Sequence, residues 1–296
     1  MRIHVRLLAL LALPAVFGCS ASNGSAGAAQ ADSGGGPSAA AAQQGLPAGA
    51  ADADARLAAS PRHGEWAMVG VDGGADSVRA WVVYPERRDR APVVIVVHEI
   101  FGLSNWIRAV ADQLAADGFI AVAPDLLTGR NIPAGPSGEP LRDSVTAAVR
   151  SLDQGQVQRR IDAVARHAMA LPAAQPRYGI VGFCWGGSVS FAHAVHAPTL
   201  GAAVVYYGTS PASDQLGRVR APVLGLYGEN DARVNATVPP ADSTMRALGK
   251  VYEHETYPGA GHGFLRQQDG QDGANLAATQ AAWPRTIAFF RRHLRG

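Results

Sequence analysis

Gly182-Phe183-Cys184-Trp185-Gly186-Gly187 is the stretch of this sequence best suited to covalent chemistry. An apolar run at 178–181 precedes it as a short strand, and 185–195 follows it as a helix. Glycines on either side of the cysteine let the backbone turn sharply from strand to helix without a Cβ clash. The nucleophile then projects from the top of the sheet in a strained conformation, the geometry of a nucleophile elbow. Its seat at a helix N-terminus favours the thiolate through the helix dipole. The alternative is a buried structural cysteine beside a tight glycine turn, since free cysteine is among the most buried residue types.

A nucleophile in such a turn needs a histidine base and an orienting carboxylate, in the chain order nucleophile, acid, histidine. The strand expected at 223–227 ends in Gly228-Glu229-Asn230-Asp231, which puts Asp231 where the acid belongs. A turn-making aspartate after Asn230 is the other reading. The strand expected at 251–257 runs into Pro258-Gly259-Ala260-Gly261-His262-Gly263, so His262 sits among three glycines on a loop rather than in a core. Of nine histidines it is the one whose place fits. His167, His193 and His196 fall within helices and read as surface or packing residues. The all-apolar strand at 93–97 ends in His98-Glu99, which would set the Glu99 carboxylate beside the elbow. Glu99 could equally be a solvated strand-end residue, and His98 reads as a local hydrogen-bond partner.

These residues need a sheet to hold them, and the rest of the pattern supplies one. Residues 67–71 and 78–84 suit an early hairpin. The β-branched run at 93–97 looks like a strand buried on both faces. Helical spacing over 105–117 places Ile107, Val110 and Leu114 on one stripe. A strand at 119–123 leads into a long loop over 125–142 rich in glycine and proline, a length that is usually functional or disordered. Helices at 143–150, 155–170, 240–248 and 274–293 and strands at 202–207, 223–227 and 251–257 complete an alternating β/α order. Such an order implies a mostly parallel sheet covered on both faces, with its active site at the carboxyl ends of the strands.

The first sixty residues differ in kind. Arg2 and Arg6 precede an apolar run from 7 to 17, a positive n-region and an h-region of signal-peptide length. That run is too short for a comfortable span of about 20 residues. It ends in Gly18-Cys19, which resembles a lipobox with Cys19 as the lipidation site, although Phe17 replaces the usual small residue. A plain signal peptide cut within 18–29 is the alternative. The expected division is a signal peptide at 1–19, a disordered Ala/Gly/Ser linker at 20–60 and a folded body at 61–296. The linker composition cannot bury a face, although 50–59 could form a nascent helix. Export to the cell envelope follows, with the body lipid-anchored or soluble in the periplasm.

The motifs His98-Glu99-Ile100-Phe101-Gly102-Leu103, Ala123-Pro124-Asp125-Leu126-Leu127, the elbow at 182–187, Gly228-Glu229-Asn230-Asp231 and Ala260-Gly261-His262-Gly263-Phe264 together resemble the dienelactone hydrolase family, in the family's order and over about 65–293. The resemblance implies an α/β-hydrolase fold and an activity like that of carboxymethylenebutenolidase, which opens a dienelactone to maleylacetate. It implies Cys184 as nucleophile, His262 as base and acid, Asp231 as its orienter, and Glu99 as a glutamate contacting the resting thiol. The N–H groups of Trp185 and Ile100 would form the oxyanion hole. Arg266, with Arg142 as a second candidate, would bind a substrate carboxylate.

Composition narrows the alternatives. With 47% hydrophobic residues the chain can build a core, and a net charge of +2 lacks the basic stripe of a nucleic-acid binder. Two cysteines exclude a disulfide framework. No metal cluster, phosphate loop or dinucleotide fingerprint appears, so no cofactor is expected. The expected partner is a small ester or lactone. The competing readings are an exported carboxylesterase or thioesterase of broad range, and a non-catalytic or redox-sensing envelope lipoprotein on a hydrolase scaffold.

Overall fold

Five β-branched residues in a row, Val93 to Val97, are at ease only in the middle of a sheet covered on both faces, and that is where they lie. The computed structural model describes residues 45–136 and 140–295. The hairpin expected near the start forms from β1 (Gly64–Val71) and β2 (Asp76–Val83), with Val69 opposite Val78. β3 (Ala91–Val97), β4 (Ile120–Asp125), β5 (Ala174–Phe183), β6 (Ala202–Tyr206), β7 (Val223–Asn230) and β8 (Tyr252–Gly261) follow. They build one eight-stranded sheet in the order β1-β2-β4-β3-β5-β6-β7-β8. β2 meets β4 antiparallel, and every pairing from β4 to β8 is parallel.

The pleat divides β3 between two cores. Val93, Ile95 and Val97 face one, with α4 (Gln154–Met169) and α5 (Trp185–His196) supplying Ile161, Val164 and Phe191. Val94 and Val96 face the other, with Ile107, Val110 and Leu114 of α2 (Asn105–Ala116) and Trp283 and Phe290 of α8 (Ala274–His293). α3 (Arg142–Arg150), the short α6 (Ala232–Asn235) and α7 (Val238–Ala247) lie in the connections that follow β4 and β7. Among the described residues no helix is long and apolar enough to cross a membrane.

Several strands are longer than expected, β5 and β8 most of all, while β1 starts at Gly64 and β7 continues to Asn230. β5 starts at Ala174, where the half-buried Gln175 and the exposed Pro176 and Arg177 hide the strand from an apolar pattern. β8 continues through Pro258-Gly259-Ala260-Gly261. It is an edge strand of the sheet, and Pro258 falls where its register with β7 is interrupted, places where proline costs no ladder bond.

The signal peptide, Cys19 and most of the expected linker lie outside the described residues. The end of that linker does not behave as a tether. Residues 45–60 pack on the body, with Leu46, Ala48 and Ala53 buried and a short helix α1 at Ala53–Ala58. The Trp106 indole donates to Ala48 O at 3.0 Å, the Gln268 amide to Pro47 O at 2.9 Å, and Ala50 N to Arg266 O at 2.8 Å. Composition misses this because the bonds are made by backbone groups, which every residue carries. A chain beginning at residue 61 should therefore be less stable than one beginning at 45, by about 2–4 kcal/mol from the lost burial and hydrogen bonds. Equal urea midpoints for the two would show that the strap contributes nothing.

Candidate active site

β5 delivers Cys184 in a backbone conformation that side chains rarely adopt, φ +56° and ψ −116°. Such strain persists only where the surroundings over-determine it. Here the turn is locked by close backbone approach. A Cβ on Gly182 would lie 2.0 Å from Gly186 O, and one on Gly186 would lie 2.4 Å from His98 O. The second contact presses the start of α5 against the end of β3, and so brings Glu99 and Ile100 to the elbow. Cys184 N donates to Tyr206 O at 3.1 Å. The thiol is half-buried and forms no disulfide among the described residues.

Asp231, just past β7, accepts from His262 Nδ1 at 2.5 Å, and its side chain is buried. The ring's other side faces the Cys184 sulfur. Burial alone would lower the His262 pKa, but the Asp231 hydrogen bond and the adjacent sulfur outweigh it and hold the imidazole up at about 9. Cys184, His262 and Asp231, far apart in sequence, thus form one connected set.

Glu99 is buried, and its Oε1 meets Arg266 Nε at 2.8 Å as an ion pair that lacks hydrogen-bond alignment. Burial pushes the Glu99 carboxyl up, and Arg266, Arg142 and His262 pull it only part of the way back, to about 7. No hydrogen bond joins Glu99 to Cys184; in this structure the glutamate faces arginine rather than the thiol. Arg142 is brought to the same spot: its guanidinium lies 4.0 Å from the centre of the Phe101 ring, and that of Arg266 lies 5.0 Å from it. His98 is fully buried, with Nδ1 against Glu99 O at 2.8 Å and its ring stacked on Trp185 at 5.4 Å. Burial lowers its pKa, so it remains a neutral packing group.

No backbone carbonyl among the described residues accepts from the N–H of Ile100 or Trp185. Both residues line the cavity of about 630 Å³ that contains Cys184. A second cavity of about 710 Å³ lies beyond Phe101 and Arg142. Two neighbours were given no role by the motifs, although Phe101 lies within one of them. Phe101 is the platform for both arginines. Tyr207 packs edge-on against His262 at 5.2 Å from a left-handed backbone, φ +40°, with its hydroxyl buried and unpartnered. The only sequence signal for Tyr207 was its place at the carboxyl end of β6.

Comparison with known proteins bears on this arrangement directly. The profile of the dienelactone hydrolase family matches residues 78–294, which carry the elbow, Glu99, Asp231 and His262. The chain belongs to the dienelactone hydrolase family. It is 32% identical over 238 residues to a Salmonella typhimurium protein named "Putative carboxymethylenebutenolidase", covering 76% of this chain and 87% of that one. It is 31% identical to a Bradyrhizobium protein named "Probable 2-oxo-3-(5-oxofuran-2-ylidene)propanoate lactonase", over 78% and 95% of the two chains. Among solved structures, the Klebsiella pneumoniae "Putative Dienelactone Hydrolase" superposes with a TM-score of 0.66 at 30% identity, over 77% of this chain and 99% of that one. The fold is therefore that of the α/β-hydrolases, and the chain is a hydrolase of ester or lactone bonds.

Proposed function

We propose that this hydrolase opens lactones, or cleaves small esters bearing a carboxylate, by covalent catalysis at Cys184 through a thioester. The observation that carries the reading is the strained Cys184 set against the His262–Asp231 pair. The unspent N–H groups of Ile100 and Trp185 add support.

The sulfur of Cys184, deprotonated towards His262, attacks the carbonyl carbon. Negative charge moves to the carbonyl oxygen, where the N–H groups of Ile100 and Trp185 receive it, each preorganised donor being worth about 3 kcal/mol. The tetrahedral adduct collapses, the C–O bond breaks, and His262 gives its proton to the departing alkoxide. Water then attacks the thioester with His262 as base, releasing the acid and the thiol. Asp231 holds the imidazole with Nδ1 towards itself, leaving the other nitrogen for sulfur, water and leaving group.

In this reading Arg266 holds the substrate carboxylate, with Arg142 beside it. Arg266→Ala should raise KM for a carboxylate-bearing ester by about 10–100-fold, the worth of a charge-assisted hydrogen bond, and far less for a neutral aryl ester. Equal effects on both substrates would remove Arg266 from recognition.

The His262 pKa gives the reaction a pH signature. The imidazolium that protonates the leaving group is present below about pH 9 and lost above it, so kcat/KM should fall on the alkaline side through that value. Asp231→Asn removes a main cause of the elevation, and the alkaline limb should then move down by at least about one pH unit. A limb that stays in place would mean that another group sets it.

A further inference from the structure

The Glu99–Arg266–Arg142 cluster accounts for one anionic group on the substrate. It does not account for the walls of the cavity that contains Cys184. On the other side of the elbow that cavity is lined by Ser188, Thr209, Gln215, Arg150 and Arg233, and by no carboxylate. The two arginines come from separate elements, Arg150 from the last turn of α3 and Arg233 from α6. Neither forms an ion pair among the described residues, whereas Arg266 does. The Ser188 and Thr209 hydroxyls lie 2.9 Å apart, and Thr209 N donates to Ser188 Oγ at 2.8 Å, which fixes a polar floor one turn into α5. The volume, about 630 Å³, falls within the 300–1,000 Å³ of sites that take drug-sized ligands, so it holds more than a small lactone ring.

Resting on the hydrolase reading above, we propose that the substrate carries two carboxylates, one on each side of the scissile carbonyl, and that Arg150 and Arg233 receive the second one across Cys184 from Arg266. The physical case is complementarity. Two exposed guanidinium groups without a carboxylate partner, lining one cavity with hydroxyls near a helix N-terminus, favour an anion there, whereas a neutral substituent gains no charge-assisted bond from them. Arginine matches a planar carboxylate with two parallel N–H groups, and two arginines on different elements fix its direction as well as its charge. The substrate class is thus a lactone or ester of a dicarboxylic or more acidic compound, longer than a lactone with one carboxylate.

Four aryl esters test this with the full chain: phenyl acetate, phenyl hydrogen succinate, 4-carboxyphenyl acetate and 4-carboxyphenyl hydrogen succinate. They carry no carboxylate, one on the acyl side, one on the alcohol side, and one on each side. The expected result is that the doubly charged ester has the highest kcat/KM. Its preference over the better singly charged ester should fall by about tenfold in Arg150→Gln/Arg233→Gln, the scale set by two solvent-facing ion pairs. Arg218→Gln/Arg220→Gln removes the same charge at a cavity by His196, the far end of α5 from Cys184, and should leave that preference in place. A preference that is absent, or that both double variants reduce equally, overturns the proposal while leaving Cys184-dependent hydrolysis intact. Turnover of all four esters that survives Cys184→Ala overturns the underlying reading instead.

Discussion

Cys184→Ala is expected to fold normally and to lose at least about ten-thousandfold in kcat/KM on any ester the protein turns over, as when a nucleophile is removed from a unit that acts together. Among the described residues no other hydroxyl or thiol near the elbow is placed to substitute. Ser188 is tied to Thr209, and Ser190 Oγ is fully buried behind Gly182. Alanine fits the site with little strain beyond what cysteine already bears, so an unchanged urea midpoint would separate lost chemistry from lost structure. Iodoacetamide should inactivate the native protein and label Cys184. Undiminished turnover in the alanine variant would leave the elbow as a structural turn.

His262→Ala is expected to cost nearly as much, because both the attack and the hydrolysis of the thioester pass their proton through that ring. Asp231→Ala should cost less than His262→Ala, since the imidazole remains but loses its tautomer and orientation. The two together should resemble His262→Ala alone, the mark of residues acting as one unit. The geometry makes this specific: Asp231 is buried with its carboxylate on Nδ1. If the losses multiply, Asp231 acts somewhere other than on His262.

Residues near the elbow were legible because each rests on a strong local rule. Glycine at 182 and 186 is required by backbone contact that no side chain could survive, and such a constraint is written in residue type. The run at 93–97 and the hairpin before it are period-2 or all-apolar patterns, and the sheet contains both. What stayed hidden depends on partners distant in sequence. Residues 45–60 have a linker's composition, yet they dock because Trp106 and Gln268, far along the chain, donate to their backbone carbonyls. Arg142 follows the long Gly/Pro-rich loop, whose course the sequence leaves open, and it is packing on Phe101 that puts it beside Arg266. Glu99 was expected on the thiol and instead meets Arg266, a contact between the end of β3 and the turn after β8 that no motif spells out.

The claim on which all of this depends is that substrate becomes bonded to Cys184. The most direct measurement is mass spectrometry of the protein quenched in acid during the first turnover of an activated aryl ester, in Asp231→Asn to slow hydrolysis of the intermediate. The expected result is a mass increase of one acyl group, mapped to the peptide carrying Cys184 and removed by hydroxylamine as a thioester is. An acyl group on another residue, or unmodified protein throughout a stoichiometric burst of phenol, would contradict the account.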